Sequence, residues 1–408
     1  MLRSHWPAAA KELTREFWTF FAAALCFDLG FAIYIFLYGL FLLDIGFNER
    51  QLGLVTGAMT LGAMTGTLPM GALAERFGLR RLLLAGFTVT PAVAAVRLFF
   101  PAEHRQIALA GVTGFALSSW QVCFSPAIAA LTTKNNRTLA FSLTFSTGIA
   151  TGALGGLAGG WLPGWIEHAH LAASHVEAKR WVLLGCCAVF ALGTWPLSRL
   201  RLRTPATTQR RAWKFDPFLI PYLPAMALWT LTAGVFVPFA PAFLSRQLHL
   251  QLPRIGEAFS LAQIAQVGAI LLAPIVFRQC GLVAGIAYTQ GLSGLALAWL
   301  AATHRVNLAV GIYVGYMAIH WMSGPGIYSL LMGRVAETAR NTASAVNTLM
   351  SSLCQSIAAA VAGAAYVRFG YPPVLFAAAA MALLSSTVFA VLLRERPRRE
   401  AIAIAAAE

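Results

Sequence analysis

Apolar residues fall in long blocks separated by short polar or basic stretches. An α-helix rises 1.5 Å per residue, so about 20 residues cross a hydrocarbon core. On that criterion the first part of the chain predicts spans over approximately 17–43, 51–72, 82–100, 106–130, 138–163 and 180–199. The second part predicts 218–245, 255–277, 282–302, 306–333, 341–366 and 371–393. The polar stretch 200–217 is the one long interruption near the middle. It divides the chain into an N-terminal bundle (1–199) and a C-terminal bundle (218–408) with a short basic tail. The expected fold is an all-α membrane protein of twelve transmembrane helices in two pseudo-symmetric six-helix bundles.

A repeat supports that division. Gly53 and Gly256 are 203 residues apart, as are Gly78 and Gly281, Arg137 and Arg340, and Gly160 and Gly363. Four landmarks at one spacing indicate duplicated halves, an architecture that transporters use.

Charge then orients the chain. With both termini cytoplasmic, Arg50, Arg97, Arg105, Lys179, Arg180, Arg246, Arg254, Arg305 and Arg368 lie at the opposite side, and the other 21 of the 30 Lys and Arg are cytoplasmic. The terminal Arg3, Lys11, Arg394, Arg396, Arg398 and Arg399 and the linker Arg203, Arg210, Arg211 and Lys214 belong to that majority. Such an excess fits the positive-inside rule and an even number of spans. Arg97, near the outer end of the third span, is expected to snorkel to the headgroups.

Composition agrees, with 58% hydrophobic and only 11% charged residues. A soluble domain carries roughly 25% charged residues, so lipid must face much of this surface. The net charge of +15 resides in clusters between apolar blocks. It is read as contact with anionic lipid rather than nucleic acid. The six cysteines show no metal-ligand spacing. The first residues lack the apolar stretch and cleavage site of a signal peptide. The expected location is the bacterial inner membrane, multi-pass, as a monomer.

After the second span stands Gly71-Ala-Leu-Ala-Glu75-Arg76-Phe-Gly78-Leu-Arg80-Arg81. This resembles the signature loop of the major facilitator superfamily, G-x-L-A-D-R-x-G-R-R, with Glu75 in place of Asp. Gly71 would admit a neighbouring helix, and Glu75 would face the positive N-terminal end of a helix, the eleventh. The resemblance implies that these contacts latch the cytoplasmic side when the protein opens outward. It also implies a central cavity lined by the first, fourth, seventh and tenth helices. In the fifth span, Gly148, Gly152, Gly156 and Gly160 at four-residue spacing form a flat packing face. Residues 155–160 also resemble the antiporter pattern G-P-x-x-G-G, with Gly156 where the proline stands. The fourth span lacks the arginine that the family's drug antiporters carry.

Ionisable groups at bilayer depth are costly and mark function. Asp28 lies about 11 residues, roughly 16 Å, into the first span. It is read as a site for a proton or a cationic substrate, with Tyr38 near its face. Tyr313, Tyr316 and His320 share one face of the tenth span. The Gln121–Pro126 and His320–Pro325 spacings match, which pairs Gln121 with His320. Trp120, Trp229 and Trp321 are candidate cavity aromatics. Gln263, Gln266, Asn347 and Gln355 are read first as helix-gluing residues. Glu167, His168, His170 and His175 are read as a solvated loop, not a metal site.

No phosphate-binding loop, nucleophile elbow or zinc motif is present. The expected function is therefore secondary transport without a cofactor, not enzyme catalysis. It is taken as proton-coupled efflux of an amphipathic or weakly cationic small molecule, because no arginine stands in the four lining helices. Uptake of a neutral metabolite such as a sugar is the alternative. A receptor or intramembrane enzyme is the remote one.

Overall fold

The computed structural model describes residues 13–133, 136–202 and 215–393. The linker and terminal arginines beyond Arg201 and Leu393, and Arg3 and Lys11, lie outside the described residues. Twelve helical segments follow in order: α1 (Arg15–Asp44), α2 (Glu49–Phe77), α3 (Leu79–Arg97), α4 (Glu103–Leu131), α5 (Arg137–His168) and α6 (His175–Arg199). The second set is α7 (Leu219–Arg246), α8 (Leu252–Cys280), α9 (Leu282–Ala302), α10 (Val306–Arg334), α11 (Arg340–Phe369) and α12 (Tyr371–Leu392). The sequence blocks match these segments, and no strand occurs among the described residues.

Ten of the twelve are long and apolar enough to cross a membrane. The others are α2 and α10, which are rich in glycine, and in threonine or polar aromatics respectively. Both line the central cavity, so neither needs a wholly apolar surface. Exposed tryptophans stand at both ends: Trp18 and Trp195 at one, Trp161, Trp165, Trp181 and Trp299 at the other. That is the arrangement of interfacial aromatic belts. We call the end bearing Arg76–Arg81 and Arg199 the basic end, and the opposite one the far end.

The 203-residue repeat is realised atom by atom. Gly78 and Gly281 each link two helices with φ 83°, ψ 152° and φ 84°, ψ 152°, a region closed to most side chains. A Cβ at Gly53 would collide with the Ala359 carbonyl, and one at Gly256 with the Gly156 carbonyl. These two contacts exchange under the 203 shift. So do two hydrogen bonds across the halves: Ser260 Oγ donates to Ala153 O at 2.6 Å, and Ser356 Oγ donates to Gly57 O at 2.8 Å. Absent side chains let backbones meet here, which is how small residues join membrane helices.

These seams, α2 on α11 and α5 on α8, lie toward the far end. On α5 they run from Gly160 to Gly152, which meets Gln263; Gly148 meets only Asp28 of its own half. Eight residues make the seam about 12 Å long. One apolar cluster spans both halves at the far end. Toward the basic end there are two clusters, one from residues 13–200 and one from 219–393. The halves therefore touch at the far end and part toward the basic end.

Candidate substrate cavity

Between the halves lies a cavity of about 430 Å³. Its walls come from α1, α2, α3, α4 and α6 on one side and from α7, α8 and α10 on the other. It is largely apolar, with Phe31, Ile35, Phe36, Met59, Met317 and Trp321 among its lining. Pro238 and Pro241 also line it, where α7 breaks into a 3-10 turn over Val237–Phe239. Proline lacks a backbone donor, so a helix gives way there.

One charged residue lines the cavity, and it is not the expected one. Arg97 is 1% exposed and does not snorkel to the headgroups. Its guanidinium lies over the Tyr38 ring, 4.3 Å from the centroid, and Tyr38 stacks on Tyr34 at 4.7 Å. The reason is local. Gln106 donates from Nε2 to the carbonyls of Arg97 and Phe100 at 2.6 and 2.8 Å. This caps the end of α3 and fixes the amide, leaving Gln106 Oε1 to accept from Tyr38 O–H and, at 3.4 Å, from Arg97 Nε. The π face, the amide oxygen and the negative end of α3 hold the cation inward. Among the described residues no carboxylate lies within ion-pair distance, and Arg97 Nη1 is buried without a partner.

The repeat singles out this cluster. Positions 203 residues after Tyr34, Tyr38, Arg97 and Gln106 are Val237, Pro241, Leu300 and Ala309. All four are apolar, so the polar group belongs to the N-terminal half alone. That asymmetry was the signal in the sequence. Reading Arg97 only by its distance from the bilayer edge passed over it.

The other candidates divide. Tyr38 and Trp321 line the cavity, and so do Gln263 and Gln266, for which the sequence suggests helix glue. Asp28 does not. It is half-buried against α5 near Gly148, and none of the described residues donates to it. Trp120 is packed among Phe20, Phe27, Phe87 and Phe124. His320 is 4% exposed, stacks on Trp229 at 4.3 Å and meets Tyr316 O–H at 3.4 Å. Tyr313 and Tyr316 are buried with it. This aromatic group is core, away from the cavity, because the face it shares turns toward α7. Gln121 is exposed, so it does not mirror His320; their spacing of 199 misses the 203 register. Asn347 does join helices, accepting from Tyr222 O–H at 3.2 Å. In the loop, His175 meets Glu167 at 3.1 Å and His168 meets Gly164 O at 2.7 Å.

At the basic end nothing stands within 4 Å of a Cβ built on Gly71. Glu75 and Arg76 are exposed, Arg76 lying over Phe77. Arg80 donates to Ser198 O within its own half, and Arg81 is exposed. The expected contact of this loop with α11 is therefore open, because the halves separate at this end. The closed contact is at the far end. Glu49, 6% exposed, accepts from Arg246 Nη1 at 3.1 and 3.0 Å and from Tyr371 O–H at 3.1 Å. Arg246 Nη2 also donates to Phe47 O at 2.9 Å. This ionic lock joins α2 to α7 and α12, and sequence reasoning missed it because its partners are some 200 and 320 positions apart.

Comparison with known proteins places this geometry. The sequence profile of the Major Facilitator Superfamily matches residues 20–359. No curated protein matches the chain. The fold is similar to a crystal structure of a mutant of the nucleoside transporter NupG, with TM-score 0.78, 12% identity, and 93% of this chain and 100% of that one covered. A bacterial homologue of the iron transporter ferroportin in an inward-facing state gives TM-score 0.73 at 13% identity, over 93% and 99% of the two chains. A D-xylose-proton symporter gives 0.73 at 14%, over 92% and 97%.

Proposed function

This chain belongs to the major facilitator superfamily, and from that premise we propose that it is a secondary active transporter of a small amphipathic solute. The observation that carries the reading is a 430 Å³ cavity walled by both halves, sealed at the far end by matched seams and an ionic lock. Halves 1–199 and 218–408, joined by 200–217, rock about this cavity. With the basic end in the cytoplasm, the structure corresponds to the inward-open state. The Gly71–Arg81 loop then engages α11 only when that end closes.

Asp28 is the site proposed to carry the coupling proton. It is an acid within a span that no described neighbour pairs with, half-buried against α5 beside Gly148. The export of a weakly cationic compound expected above rested on a cavity without arginine, and Arg97 removes that ground.

The reading is tested in proteoliposomes. A thermal-shift screen of the purified protein identifies ligands, since binding raises apparent stability by mass action. A labelled hit is then followed by counterflow and under an imposed pH gradient. Exchange without a gradient and accumulation with one are expected, and Asp28→Asn abolishes only the second. A hit that binds but never exchanges refutes transport. Full gradient-driven accumulation by Asp28→Asn refutes the coupling role.

A further inference from the structure

We infer that the closed end of the cavity is a binding site for the carboxylate of an amphipathic monoanion, with Arg97 as the residue that takes it. The inference rests on the transporter reading above and names its substrate class.

Arg97 is a cation taken out of water with no counter-ion, an arrangement that lost hydration disfavours when it is left uncompensated. Its neighbours orient it without neutralising it: the Tyr38 face, one amide oxygen and a helix end. A guanidinium presents donors in a planar fork that a carboxylate accepts in pairs. Here Nε is used at 3.4 Å and Nη1 has no partner. The same face of α3 carries Ala94 and Thr90, whose Oγ1 is also buried without a partner. All three line the cavity.

The rest of the wall sets the remainder of the ligand. No second Lys or Arg lines the cavity among the described residues. One charge matches a monoanion and leaves a phosphate dianion unbalanced. Phe31, Ile35, Phe36, Met59, Met317 and Trp321 provide an apolar bed, so the body of the ligand is hydrophobic or aromatic. No carboxylate stands in the cavity lining to attract an amine.

The test uses three probes of one shape: 4-phenylbutyrate, 4-phenylbutyramide and 4-phenylbutylamine. Each is titrated into the purified full-length protein while the melting temperature is followed. The acid is expected to raise it, with amide and amine at least about tenfold weaker, the size of a charge-assisted pair. Arg97→Gln is expected to lose the preference for the acid while melting, without ligand, at or above the wild-type temperature. A purely structural arginine would lower it. Should Arg97→Gln fail to fold, Arg97→Lys serves: it keeps the charge without the fork and should bind the acid about tenfold more weakly. Equal responses to the three probes, no response to the acid, or an acid response unchanged in the variant overturns the assignment. The two readings fail separately. Counterflow of the amide without preference for the acid removes the anion site and leaves transport. Acid-selective binding with no counterflow does the reverse.

Discussion

Glu49→Gln isolates the far-end lock. The substitution keeps the shape and one acceptor oxygen but removes the charge that faces Arg246. Glu49 is buried, whereas the Arg246 side chain is 40% exposed, so the pair is screened from one side only. A hydrogen bond to a charged group contributes about 1.5–3 kcal/mol. Discounting for the exposed partner leaves about 1–2 kcal/mol. The lock exists only while the far end is closed. Its loss therefore shifts the balance between the two states by about 5–30-fold and leaves each half intact. The assay is thiol labelling at Met59→Cys, a cavity position, with the six native cysteines replaced. An impermeant reagent is applied from the far face. Its rate should rise by that factor in Glu49→Gln, and Arg246→Gln should do the same. The double variant should fall short of the sum of the two, because they share one ion pair. Rates within twofold of wild type in both single variants, or additive effects in the double, would refute the lock.

Gly256→Val places a Cβ into the Gly156 carbonyl. Overpacking of this kind costs about 1–3 kcal/mol and should favour far-end opening in the same labelling assay; an unchanged rate counts against the seam. Gly71→Leu meets open space, so its melting temperature should stay within about 2 °C of wild type, while counterflow slows because the basic end can no longer close; normal counterflow would refute the latch. His320→Gln removes the stack on Trp229 but leaves the cavity wall. It should lower the melting temperature by several degrees, with the ligand affinity of surviving protein within about twofold; a large affinity loss would place His320 in the site. Arg81, Arg211 and Arg396, each replaced by Cys, should react only from the cytoplasmic side. Labelling of position 211 from outside intact cells would break the two-half arrangement.

Sequence alone determined what depends on the solvent and on local spacing. Lipid cannot satisfy backbone groups, so long apolar blocks must become helices. Twelve such blocks, the 203-residue repeat and the Gly71–Arg81 loop gave the architecture and family without coordinates. Spacing of four sets the fifth-span glycines in one row, of which Gly152, Gly156 and Gly160 meet α8 while Gly148 meets Asp28 of its own half. What remained was decided by which face of each helix turns inward, and no hydrophobic pattern reports that when both lipid and protein interior are apolar. Asp28 and Arg97 illustrate the limit. Read by depth, the first was the cavity charge and the second a headgroup anchor. The structure turns Asp28 toward Gly148 of α5, while Tyr38 and Gln106, from two other helices, turn Arg97 into the cavity. The Glu49–Arg246–Tyr371 lock is of the same kind. Its members meet only because two duplicated halves close on each other, an event that lies beyond local sequence.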